Sequence, residues 1–196
     1  MPNPATLEDL LVLPEDLRRR FEVIEETLVD RGATSGEHGT AQHRLSAFTI
    51  AFDRRPGGPG PGGWWFATEV DVDFDVANAL KPDVAGWRRD HVASRPRGIP
   101  VRDRPDWICE ILSTNRAHDL IRKKRVYHRH QVGHYWIVDP IEGTLSVLRW
   151  AADGYVEVLS AERHEVVRLE SDRLRLAVRP NMRPEPSRRS TPTSLA

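Results

Sequence analysis

The chain has 196 residues, which suits one domain with a substantial core, and its 29 basic residues balance 29 acidic ones to a formal net charge of zero. That balance argues against a surface coated in positive charge and confines any nucleic-acid role to a local basic patch. A single cysteine, Cys109, excludes an internal disulfide, and its place in an apolar run suggests an inert core thiol in a reducing cytoplasm. No stretch approaches the roughly 18 apolar residues of a membrane span, and MPNPATLEDLL lacks the charged start and apolar run of a signal peptide, so a cytoplasmic protein is expected.

Along the chain, Thr6 predicts the cap of a short helix through about Leu11, with Glu8 and Asp9 in its first turn and Pro14 ending it. RFEVIEETLV, residues 20–29, alternates and predicts a first strand, followed by a loop at RGATSG. Between Glu37 and about Phe52, the spacing of Ala41, Leu45, Phe48, Ile50 and Phe52 predicts a helix. DRRPGGPGPGG, residues 53–63, is a flexible loop with no phosphate-binding glycine pattern.

Three strand-like runs follow, at 64–76, 83–89 and 106–113. In the first, Val70, Val72 and Phe74 face one way and Asp71, Asp73 and Asp75 the other, as in a half-solvated strand; the third is apolar on both faces, as in a central strand. Residues 115–131 predict a helix with Leu120, Lys124, Tyr127 and Gln131 in line and Gly133 as its C-cap. HYWIVDP, TLSVLRW and YVEVLS are further strands, the last two joined by a hairpin at AADG. One domain over residues 1–180 is expected, and 181–196 read as a disordered tail.

Chemistry concentrates in PDWICEILSTN, residues 105–115, where Glu110 sits among Trp107, Ile108, Cys109, Ile111 and Leu112. An isolated buried carboxylate costs several kcal/mol even after relaxation, so Glu110 is exposed on an edge, paired, or bound to metal. Asp83 opens the preceding strand. If the two acids converge, a cation must offset their repulsion, and two carboxylates with the Ile111 carbonyl suit Mg²⁺ or Mn²⁺. Lys81, Lys123 and Lys124 are the only lysines in an arginine-rich chain, and Lys123 or Lys124 could reach the site from the following helix; the competing reading is a solvated basic face.

KPDVAGW, PDWICEILST and DLIRKKRVYHRHQVGHYWIVDP, in that order and spacing, resemble the bacterial Uma-type family of restriction-endonuclease-like proteins, and the likeness runs over about residues 5–150. Its pattern is a Pro-Asp strand, a Glu-Val-Leu-Ser strand, an Asp-x3-Lys-x3-Tyr helix matched by Asp119, Lys123 and Tyr127, and a Tyr-Trp-Ile-Val-Asp-Pro strand matched by residues 135–140. RFEVIEETL resembles the family's first strand, with Glu25 and Glu26 replacing an aspartate and a glycine, and His38 falls where a histidine opens the first long helix.

The resemblance implies an α/β (α+β) nuclease core of the PD-(D/E)xK type, a mixed sheet flanked by helices with added C-terminal hairpin strands. It implies Asp83 as motif aspartate, Glu110 as motif acid, and both with Ile111 as metal ligands. The signature lysine belongs at position 112, where this chain has Leu112, so Lys123 takes its role by motif position, with Lys124 second. His38 and Glu22 are supporting candidates, His38 otherwise being a capping or surface residue. Arg116, Arg122 and Arg125 are candidates for holding backbone phosphates.

The implied activity is metal-dependent endonucleolytic hydrolysis of DNA. The alternative is a nuclease-fold module that binds DNA or a protein partner without cutting, which Leu112 keeps open; a metal-independent acid–base hydrolase is a third. The remaining histidines stay unassigned, Trp64, Trp65 and Trp87 are the tryptophans nearest a cleft, and the C-terminal hairpins could form a homodimer interface.

Overall fold

The computed structural model describes residues 4–57, 62–113 and 118–162, and the backbone of 167–171 and 174–178. The expected tail at 181–196 lies outside the described residues.

Two short helices, α1 (Leu7–Leu11) and α2 (Glu15–Arg18), lead in, and Thr6 forms a full capping box with Asp9 at the start of α1. The run expected as one strand over 20–29 is a hairpin, β1 (Phe21–Ile24) and β2 (Thr27–Asp30), paired in register from Phe21 with Asp30 to Ile24 with Thr27. Its two-residue turn is Glu25-Glu26, at φ 50° and 58°. Such a turn favours Asn-Gly, so neither glutamate announces it. Tertiary contacts hold it instead: Glu25 N–H donates to Asn78 Oδ1 at 2.9 Å and Glu26 N–H to the Ala77 carbonyl at 3.1 Å.

Helix α3 (Gly36–Thr49) begins at Ser35, whose Oγ accepts from His38 N–H. The run at 64–76 is also two strands. β3 (Trp64–Thr68) and β4 (Val72–Asp75) belong to different sheets, and the chain turns between them at Glu69, φ 55°. β5 (Asn78–Leu80), unread in the sequence, pairs with both β4 and β1. β6 (Val84–Arg88) and β7 (Trp107–Ile111) follow. A π-helical turn, His118–Lys123, then runs into α4 (Lys124–Arg129). Gln131, at φ 55°, closes this helix in place of the expected Gly133. β8 (His134–Asp139), β9 (Thr144–Ala151) and β10 (Gly154–Glu162) complete the main sheet, and β11 (Val167–Ser171) pairs with β12 (Leu174–Val178).

The six-stranded sheet has order β10-β9-β8-β7-β6-β3, antiparallel except for the β7–β8 pair, and the antiparallel four-stranded sheet has order β2-β1-β5-β4. β7 is central and all five of its residues are buried, because both faces of the large sheet are covered. On one face, Trp107 and Cys109 pack with Trp64, Trp136 and Phe52, beside Leu45 and Phe48 of α3. On the other, Ile108 and Leu112 pack with Ile24, Val29 and Leu80 of the small sheet and with Val126 and Tyr127 of α4. Each large buried side chain contributes about 1.5–3 kcal/mol, so these two layers carry the fold.

Left-handed backbone at a non-glycine residue costs about 1 kcal/mol. Glu26 is exposed, so Glu26→Gly should raise the unfolding free energy by about that amount in urea titration. Glu25→Gly should gain less, since it also releases an ion pair with Arg125.

Candidate active site

β6 and β7 pair Val84 with Cys109 and Ala85 with Ile108, so one further step of the same register sets Asp83 beside Glu110. Opposed residues of an antiparallel pair point to the same face. Both carboxylates line a cleft of about 290 Å³ between the two sheets, with Glu22 from β1, Arg31 after β2, His38 from α3, Glu69, and Asp119 and Lys123 from the π-helical turn. Asp83, Glu110 and Lys123 are 2%, 1% and 3% exposed.

Asp83 is held on three sides: Ile111 N–H donates to Oδ2 at 2.6 Å, His38 Nε2 lies 3.2 Å from the same oxygen, and Arg31 Nη2 donates to Oδ1 at 3.1 Å. Burial opposes its charge, but His38, Lys123 and Arg31 outweigh burial and hold its pKa below the ordinary value. His38 responds in kind: burial disfavours its cation, yet the bond to Asp83 wins and raises its pKa.

Lys123 Nζ donates to both oxygens of Glu110 at 3.2 Å and lies 3.2 Å from Glu22 Oε1 and 3.3 Å from Asp119 Oδ1. Burial disfavours the ammonium, but these carboxylates overcome it and push its pKa well up. Tyr127 O–H donates to Glu110 Oε1. Burial, partly countered by Lys123, leaves Glu110 and Asp119 above their usual carboxylate range. Glu22 also accepts from Lys81 N–H at 2.7 Å and Arg31 Nε lies 3.5 Å away.

The lysines are thereby told apart. The π-helical turn drives Lys123 into the cleft and leaves Lys124 half-buried outside its lining, and Lys81 Nζ is occupied by Asp71 at 3.1 Å. Leu112, at the signature position, is packed in the apolar core, so the ammonium arrives from the helix. Arg122 and Arg125 do not line the cleft. The same turn points them outward to Glu25, Arg122 Nε at 3.5 Å and Arg125 Nη2 at 2.9 Å. Arg116 lies outside the described residues. The arginines that do line the cleft, Arg19, Arg20 and Arg31, carry no sequence signal, because their loops become neighbours only through the sheets. Trp64 and Trp87 are core residues, and Trp65 lies beneath Arg89, 3.3 Å from its ring centre.

The donor chemistry suits a hard divalent cation. Four buried carboxylates, Glu22, Asp83, Glu110 and Asp119, line the cleft, and of its cations Arg31 and Lys123 touch them directly. Among the described residues, no three acidic, histidine or cysteine side chains form a ready ligand set. Mg²⁺ needs none: it is usually held by one or two carboxylates and keeps several waters. Asp83, Glu110 and the Ile111 carbonyl fit that pattern.

The chain belongs to the Uma2 family, described as "Putative restriction endonuclease", whose profile matches residues 7–179. Its fold is that of a solved structure from Anabaena variabilis ATCC 29413, described as a "putative nuclease belonging to DUF820". The two share 20% identity with a TM-score of 0.67, over 89% of this chain and 95% of that one. No curated protein matches the chain. No helix among the described residues is long and apolar enough to cross a membrane.

Removing one partner of a buried ion cluster typically costs about 3–5 kcal/mol. Lys123→Met should lose that much stability at pH 7 by chemical denaturation. Without the ammonium, Glu110 and Asp119 rise further above 4.5 and 3.8, so stability is retained at low pH and lost as pH rises through the raised values. The deficit relative to wild type should therefore shrink toward pH 4; a pH-independent deficit would contradict the charge argument.

Proposed function

We propose that this cleft is the active site of an endonuclease that hydrolyses DNA phosphodiester bonds with Mg²⁺ or Mn²⁺ bound to Asp83, Glu110 and the Ile111 carbonyl. The observation that carries the reading is the placement of two carboxylates from adjacent central strands in one cleft, with a buried ammonium 3.2 Å from one of them. The family description and the shared fold support the nuclease class.

The bound cation would lower the pKa of a coordinated water and offset charge on the scissile phosphate. The chain's own groups do the rest. Ile111 N–H and His38 fix the Asp83 carboxylate, and Tyr127 fixes Glu110. Lys123 neutralises charge developing on the phosphate, and being held by packed groups it needs no reorganisation when that charge appears. Arg31, with Arg19 and Arg20 at the rim, contacts backbone phosphates; such contacts carry no base information, so binding is salt-dependent and largely indifferent to sequence. Glu110 is a poor general acid despite its raised pKa, because Lys123 and Tyr127 already engage its oxygens.

Plasmid cleavage should require Mg²⁺ or Mn²⁺ and stop in EDTA. Asp83→Asn, Glu110→Gln and Lys123→Met should each slow it about 100-fold or more, consistent with the loss of one electrostatic group from a preorganised site. Lys124→Met should retain near-wild-type rates. Cleavage unchanged by all three cleft substitutions would reject the site, and DNA binding with no cutting under any metal would mark a non-catalytic binding module.

A further inference from the structure

Three carboxylates from three different elements close around one ammonium: Glu22 from β1, Glu110 from β7 and Asp119 from the π-helical turn place four oxygens between 3.2 and 3.3 Å from Lys123 Nζ. A lysine needed only to touch a substrate would not require this. Its ammonium is turned into a cage of three carboxylates and is 3% exposed. Glu110 belongs to the cage and also stands beside Asp83. Hydrolases that use two metal ions set them roughly 3.5–4 Å apart as a clamp on the attacking and leaving oxygens. Here the place on the far side of Glu110 already holds a covalently supplied cation.

Resting on the proposed metal reading, we infer that the Lys123 ammonium occupies a second-cation position. The chain then takes one divalent ion rather than two, and Glu22 and Asp119 are positioning residues for Lys123 rather than metal ligands. The arrangement has a consequence for the lysine's geometry. A lysine at position 112 would leave the chain just after β7, whereas Lys123 comes from the helix, where the wide turn puts Asp119 and Lys123 on the same inward side. The cage is oxygen-rich, hard in character and open to the cleft, which are the properties a divalent ion would need if the ammonium were removed.

The test is Mn²⁺ stoichiometry by equilibrium dialysis, with melting temperature measured in parallel, on full-length protein without DNA. Wild type should bind one Mn²⁺ per chain, and Lys123→Met should bind two, with a larger Mn²⁺-dependent rise in melting temperature than wild type. Glu22→Gln and Asp119→Asn should each stay at one. Should Lys123→Met fail to fold in EDTA, Mn²⁺ should restore its melting transition, and Lys123→Met/Glu22→Gln, with one charge fewer, supplies a second protein for the same count. Two ions in wild type, or no added ion in either Lys123 variant, overturns the inference. If wild type binds none while Lys123→Met binds one, the cage assignment stands and the Asp83–Glu110 metal site is what fails.

Discussion

A lysine ammonium has been taken out of water and surrounded by carboxylates from three elements, and much of the molecule is organised to make that tolerable. Charge burial of this kind costs several kcal/mol per ion unless the partners and their remaining hydrogen-bond positions are in place. Lys123 is therefore satisfied by Glu22, Glu110 and Asp119; Glu110 is held in addition by Tyr127, and Glu22 by the Lys81 backbone N–H. All of these contacts except the Lys123–Asp119 pair, which lies within the π-helical turn, join different elements of the chain. The polar cluster thus fixes how the small sheet and α4 sit on the large sheet, a register that apolar packing alone would specify less sharply.

The same constraint explains the asymmetry of β7. Its neighbours on the cleft face, Ile108 and Leu112, are packed apolar residues, and Glu110 between them is exempt because its partners descend from the helix above. Asp83 is its neighbour across the β6–β7 ladder, but its counter-charges come from Arg31 and His38 on the other side of the cleft. The two adjacent carboxylates therefore have different direct partners, one set on each wall, while the Lys123 charge acts on both. Such an arrangement lets two buried acids sit side by side on neighbouring strands.

Part of this is legible in the amino-acid sequence alone. The Thr6–Asp9 cap, the buried central strand and the convergence of Asp83 with Glu110 follow from local spacing and from adjacency of consecutive strands. Helical periodicity alone leaves Lys123 and Lys124 both open, and only motif position favours Lys123, because the π-helical turn rotates the face that a regular helix would present; the same rotation takes Arg122 and Arg125 to Glu25. The two broken strands hide for one shared reason. Their turns fall on Glu25, Glu26 and Glu69, residues with no turn preference, held in left-handed backbone by contacts with Asn78, Ala77, Gln42 and Arg31. Arg31 itself was invisible as a site residue, since only closure of the small sheet over the large one brings it to Asp83.

The central claim is that Asp83 and Glu110 together hold a divalent cation on the cleft side of β6 and β7. Anomalous scattering from a crystal of the wild-type protein soaked in Mn²⁺ addresses it most directly. The account predicts one anomalous peak within direct ligand distance of an oxygen of each carboxylate, with the Lys123 ammonium still among Glu22, Glu110 and Asp119. No peak at saturating Mn²⁺, or a peak inside the Lys123 cage with Asp83 uninvolved, would contradict it.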